Sequence, residues 1–211
     1  MRRTIKTQLT IVSFIIVLAT LLLGCKTFFE GKEKLSEINH LQTLVELSTS
    51  ISLFVHEAQK ERGASAGYLG SSGKKFGDKL PAQRALTDQY LSQYQSAIKN
   101  LNDTYKNKGL QEKFTTIAGY IDQLSSVRKR VDGLSISVQE EVDYYTQMNK
   151  HLLDIVSSTA MLSSNPELIK QLNAYANFLK AKERSGIERA VLSNTFAAQK
   201  FAPKMFEKII S

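Results

Sequence analysis

Apolar residues recur along most of this chain at intervals of three and four, the spacing that gathers side chains on one face of an α-helix. From Lys34 to Leu69 the stripe runs through Leu35, Ile38, Leu41, Val45, Ile51 and Val55, until the glycine- and lysine-containing run 70–79 breaks it. Pro81 suits the first turn of a second helix, where its missing N–H is not needed. That helix uses Leu86, Tyr90, Leu91, Tyr94, Ile98 and Leu101 and is expected to end near Asn107, Lys108 and Gly109. A third, from about Leu110 to Val131, places Phe114, Ile117, Tyr120, Ile121, Leu124 and Val127 inward, and Asp132 and Gly133 end it. Ser137 with Glu140 three residues on reads as a capping box for a fourth helix, expected to end near Ser164. Asn165 then caps a fifth, with Pro166 at its first position, continuing to about Thr195. Pro203 opens what reads as a sixth helix of barely two turns, so the natural continuation of the chain is expected to lie beyond Ser211.

Ahead of these helices, 19 uncharged residues lie between Lys6 and Lys26, mostly Ile, Val, Leu, Phe and Ala from Leu9 to Leu23. That is near the roughly 20 residues a helix needs to span a bilayer. Arg2, Arg3 and Lys6 precede it, which keeps the N-terminus in the cytoplasm and exports the chain beyond the apolar segment. The chain thus divides into a cytoplasmic N-terminus (1–7), a transmembrane signal anchor (8–25) and an extracytoplasmic helical domain (26–211). Leu22, Leu23, Gly24 and Cys25 also make an imperfect lipoprotein-type box, and a cleaved signal peptide is a third reading. All three export the remainder.

Composition narrows the function classes. Few prolines, no Trp and abundant Ala, Leu, Ser, Lys, Gln and Glu agree with an all-α protein. The formal charge is +8, and without Arg2, Arg3 and Lys6 it is +5, a mild excess that suits small anions or a membrane surface. No basic run with interleaved aromatics argues for nucleic acid. A single cysteine and three scattered histidines offer no metal cluster or nucleophilic site, and no phosphate-cradling loop or paired general acid and base stands out. The expectation is a binding protein without a cofactor, not an enzyme.

One stretch, Gln59 to Leu69 (QKERGASAGYL), breaks the hydrophobic pattern. The stripe Ile51, Val55, Ala58 continues to Arg62, then Ser65 and Leu69, so a guanidinium is aimed at the packed side of the helix. A buried charge must be answered, yet the positions three and four away are Ala58, Gln59, Ser65 and Ala66. Either an acid from another segment or a bound anion must answer it; for this arginine and that of the second motif taken together, Glu57, Glu61 and Glu183 are the acids that could cross over. A second stretch, Lys180 to Leu192 (KAKERSGIERAVL), repeats Glu-Arg followed by a small residue, and Arg189 also has no local acid. Arg184 and Arg128 differ, having Glu188 and Asp132 four residues on as partners. Two arginines on one cleft would match a planar oxyanion through paired N–H donors. Ser65, Ser185 and the backbone near Gly63 and Gly186 are candidate neutral donors.

These two motifs resemble those of the nitrate- and nitrite-sensing (NIT) domain family. QKERGxSAGYL is matched from Gln59 to Leu69, and a later KExxGxERA by Lys182, Glu183, Gly186, Glu188, Arg189 and Ala190, about 120 residues on. An arginine ahead of a Val-Asp pair is a further family feature, matched by Arg128 in SVRKRVDGLS. The resemblance implies an all-helical pair of antiparallel four-helix bundles, with nitrate or nitrite held between helices by Arg62, Arg189 and Arg128 with Ser65, Gly63 and Gly186. It further implies a homodimeric receptor in the bacterial cytoplasmic membrane, joined to a cytoplasmic output module that this chain lacks. The competing reading is a non-sensory helical interaction protein, or a lipoprotein, whose arginines pair internally.

Overall fold

The computed structural model describes residues 5–101, 108–163 and 165–199. Five helices follow one another, with no strand among the described residues: α1 (Ile5–Gly70), α2 (Leu80–Lys99), α3 (Lys108–Asp132), α4 (Val138–Thr159) and α5 (Pro166–Ala198). A short 3-10 turn, Ala160–Leu162, follows α4. The second helix ends at Lys99, capped by Asn100, well short of the end expected near Asn107 to Gly109, and Lys108 and Gly109 already belong to α3. The fourth ends at Thr159 and its 3-10 continuation at Leu162, just short of the expected Ser164, which with the helix expected from Pro203 lies outside the described residues.

The apolar N-terminal segment and the stripe from Lys34 to Leu69 form one uninterrupted helix, as the absence of any proline before Pro81 allows. Contacts divide the chain at Thr43, and the compact body begins at Leu44. In the N-terminal unit the apolar residues Leu9, Phe14, Ile16 and Leu21 to Leu23 are exposed to solvent. Among the described residues α1 is the one helix long and apolar enough to cross a membrane.

In the compact body, contacts between helices give the chain direction. Ser48 meets Thr159, and Glu61 meets Tyr145, so α1 and α4 are antiparallel. Glu57 with Gln83 and Phe54 stacked on Tyr94 make α1 and α2 antiparallel too. Asp88 with Arg128 joins α2 to α3, and Tyr144 with the Tyr120 carbonyl joins α3 to α4. The result is an up-down-up-down four-helix bundle. Gln59 with Glu183 and Gly63 with Ser193 lay α5 along α1, parallel to it. A bundle core of Leu47, Ile51, Phe54, Met148, Leu152 and Ile155 is almost wholly excluded from water.

The caps form as the sequence dictates. Ser137 and Glu140 exchange both capping-box hydrogen bonds, and the Asn165 side chain accepts from the Glu167 and Leu168 amides. At the end of α1 the loop folds back, with Phe76 in the left-handed region at φ 68°. Its ring covers Gly67 so closely that any side chain there would strike it.

Candidate functional site

Arg62 faces the packed side of α1, as its place in the stripe requires, and none of it is exposed. Its charge is answered from α5: Nη1 donates to Glu183 Oε1 at 2.5 Å and to Thr146 Oγ1 of α4 at 3.0 Å. The other Glu183 oxygen accepts from Gln59 Nε2 at 2.6 Å and Asn149 Nδ2 at 3.3 Å. Of the acids that could have crossed over, Glu183 is the one that does. The opposite edge of the guanidinium is different. Nε and Nη2 are buried with no hydrogen-bond partner among the described residues, and so is the Ser65 hydroxyl one turn further along. Each such group costs about 1–3 kcal/mol when left unmade. Gly186 lies against Nη2, where a methyl group would stand at 2.9 Å.

Next to Arg62, Glu61 points into the bundle and is also fully buried. Arg128 grips it with two parallel bonds, Nε to Oε1 at 2.7 Å and Nη2 to Oε2 at 2.9 Å, and the Tyr145 hydroxyl donates to Oε1 at 2.7 Å. Arg128 Nη1 reaches Asp88 at 2.7 Å. This corrects the expected local pair of Arg128 with Asp132, for Asp132 receives Arg84 at 2.9 Å. Four residues of helix bring two side chains near each other only on the surface, whereas Arg128 turns toward the bundle, where a buried carboxylate binds it more strongly. Burial works against the Arg128 charge, but the bonds to Glu61 and Asp88 outweigh it and raise its pKa. Burial and the Glu61 carboxylate push the Tyr145 hydroxyl well above its ordinary range.

Arg189 is exposed, and among the described residues no ion pair involves it. It lines a surface cleft of about 510 Å³ between α1, the 71–79 loop, α2 and α5, together with Lys60, Gly63, Lys79 and Ser193. The Gly63 carbonyl accepts from Ser193 Oγ at 3.1 Å. Lys182 stands close enough that burial, then Arg189 and Lys60, lower its pKa. His56 is lowered by burial and by Lys182 and Lys60. Burial opposes ionisation of Glu57, yet hydrogen bonds from Gln83 and Lys60 keep it below the ordinary carboxylate value. Cations therefore cluster at this end of the body.

The structure brings Arg62, Ser65 and Gly186 together, places Gly63 and Arg189 on the adjoining cleft, and sets Arg128 in a separate ion-pair lattice. Ser185 is exposed. Thr146, Asn149 and Gln59 escaped notice as partners of the site. Thr146 and Asn149 are a polar i, i+3 pair interrupting the apolar face of α4, and that interruption was the available signal.

Residues 53–211 match the family described as nitrate and nitrite sensing, over most of the chain. The chain belongs to the NIT domain family. It is 29% identical over 164 residues to the nitrate regulatory protein of Klebsiella oxytoca, an alignment covering 78% of this chain and 41% of that protein. Among solved structures, the NasR transcription antiterminator shares the fold at a TM-score of 0.76 and 26% identity, over 86% of this chain and 50% of that one. The NIT chain spans half or less of the length of these relatives. Both NIT motifs read from the sequence, and Arg62 and Arg189 with them, lie in the matched region.

Proposed function

We propose that this NIT domain is the extracytoplasmic sensory part of a bacterial membrane receptor, held by residues 8–25, which binds nitrate or nitrite and turns nothing over. The observation that carries the ligand assignment is the open edge of Arg62. Nε and Nη2 present two parallel donors with no acceptor among the described residues, inside a domain of a nitrate- and nitrite-sensing family. A planar oxyanion spans such a fork with two oxygens, while Nη1 keeps Glu183. Ser65 supplies a third, neutral donor from the same helix face. Exposed Arg189, with Lys60 and Lys182, raises the local anion concentration and closes on the ligand from α5. Arg128 acts one step removed, by holding Glu61 away from the Arg62 charge.

Signalling is a matter of linkage. An anion that binds better to the arrangement with α5 drawn toward α1 shifts the population by that difference in affinity. Because α1 runs without a break from Ile5 to Gly70, a displacement at Arg62 has a continuous helix along which to travel. The homodimer and the cytoplasmic output module are part of the same proposal.

The contact between Arg62 and Glu183 favours a second reading, in which the arginine is a structural ion pair of a helical interaction protein. Calorimetric titration of the full chain in lipid nanodiscs with nitrate, nitrite, chloride and acetate separates the two. Saturable binding of nitrate or nitrite, lost in Arg62→Lys and weakened in Arg189→Ala with helicity retained, is the expected result. A folded chain that binds neither anion sinks the sensor reading. Reaction of a Gln111→Cys thiol, at an exposed position of α3 in a Cys25→Ser background, with a membrane-impermeant maleimide in whole cells supports export, and absence of reaction opposes it.

A further inference from the structure

The cleft beside Arg189 is far larger than nitrate needs. A four-atom anion displaces on the order of two waters, about 60 Å³, whereas the cleft holds about 510 Å³. That is within the size range of small-molecule sites. Its lining is divided. Ala64, Phe76, Ala82 and Leu86 form an apolar wall, and Lys60, Lys79 and Arg189 bring positive charge, with Asp78 the one acid in the lining. Arg62 is not part of it.

Two features mark the wall as built. Phe76 adopts a left-handed backbone at φ 68°, a conformation costly for a bulky residue, which brings its ring over Gly67. Lys79 Nζ stands 5.9 Å from the same ring, over the cleft. Of the three lining cations, Lys60 is paired with Glu57 at 2.9 Å, while Arg189 makes no ion pair among the described residues. An anionic group at Arg189 would therefore find an uncompensated fork, and a hydrocarbon body attached to it would have a ring and three aliphatic side chains to cover.

We infer that this cleft is a second ligand site, for an organic carboxylate carrying an apolar body, with Arg189 gripping the carboxylate and Phe76, Ala82 and Leu86 enclosing the remainder. The inference does not depend on nitrate binding at Arg62, which lies outside the cleft; Arg189 is the one residue that both ligands would use. Occupation would tie α2 and the 71–79 loop to α5, so that an organic acid modulates the same helix pair on which the oxyanion acts.

Phenylacetate is the probe, with phenylacetamide and acetate as controls, titrated calorimetrically into the full chain in lipid nanodiscs. The expected result is saturable one-to-one binding of phenylacetate, with the neutral amide and the bodiless acetate each at least about tenfold weaker. Ala82→Trp, on an exposed face of α2, fills the cleft and should weaken phenylacetate at least about tenfold while leaving helicity and any nitrate response unchanged. Arg62→Lys should leave phenylacetate binding intact, which separates the fate of this site from that of the oxyanion edge. No saturable phenylacetate binding, equal binding of the amide or of acetate, or an Ala82→Trp variant that binds phenylacetate like wild type would each overturn the inference.

Discussion

Replacing Glu61 by Gln keeps the shape of the side chain and removes its charge at the centre of the bundle. The carboxylate is fully buried and accepts two bonds from Arg128 and one from Tyr145. In the variant, the amide nitrogen confronts donors, and Arg128 retains only Asp88, a half-exposed partner. Removing one member of a buried ion pair costs about 3–5 kcal/mol. The Arg128 side chain is 15% exposed and can recover some hydration, which puts the expected loss near the lower end, about 3 kcal/mol. For a body of this size each kcal/mol moves the midpoint by about 2–4 °C, so the melting temperature should fall by about 6–12 °C. Urea denaturation followed by circular dichroism measures the free energy directly, and an unchanged slope would show that the denatured state is not responsible. Replacing both partners by apolar residues, Glu61→Leu with Arg128→Met, should recover much of the loss, since an apolar replacement of a buried ion pair is nearly neutral. A Glu61→Gln change within about 0.5 kcal/mol of wild type, the range of ordinary surface substitutions, would refute the view that this lattice holds α1 to α3 and α4.

Gly186→Ala places a methyl group 2.9 Å from Arg62 Nη2 and should lower nitrate affinity about tenfold, by calorimetry, while its gain of about 1 kcal/mol in helix propensity keeps the fold. Phe54→Ala, at a fully buried ring stacked on Tyr94, should cost about 3–5 kcal/mol in urea denaturation without altering the anions bound. The backbone and side chain of Ser137, then Arg130, lower the Glu140 pKa from 4.5 to about 2. A carboxyl depressed in the folded state stabilises above its unfolded pKa, and that contribution is lost as pH falls from 4.5 to about 2. Glu140→Gln should therefore flatten the dependence of the melting temperature on pH in that window and leave it parallel to wild type above pH 6.

Much of this domain is written locally. Helix periodicity is a property of neighbours three and four apart, so the stripes of α1 to α5, the Ser137 and Glu140 capping box and the Asn165 and Pro166 start come from residue order alone. So does the inward aim of Arg62, and with it the requirement that something answer its charge. The answering group is not local. Glu183 is 121 residues away, and it reaches Arg62 only because α5 runs along α1 in one register. Arg128 takes Glu61 and Asp88 instead of Asp132 for the same reason: rotation of α3 about its own axis turns the guanidinium toward the bundle. Arg62 and Arg189, so alike in their motifs, differ because one is covered by α4 and α5 while the other faces water. Rotation and register are set by how whole helix faces pack, a sum over many side chains on separate segments. The sequence by itself therefore determined the helices and the charges they bear. Only the tertiary structure decided which charges meet, and which edge of Arg62 is left open.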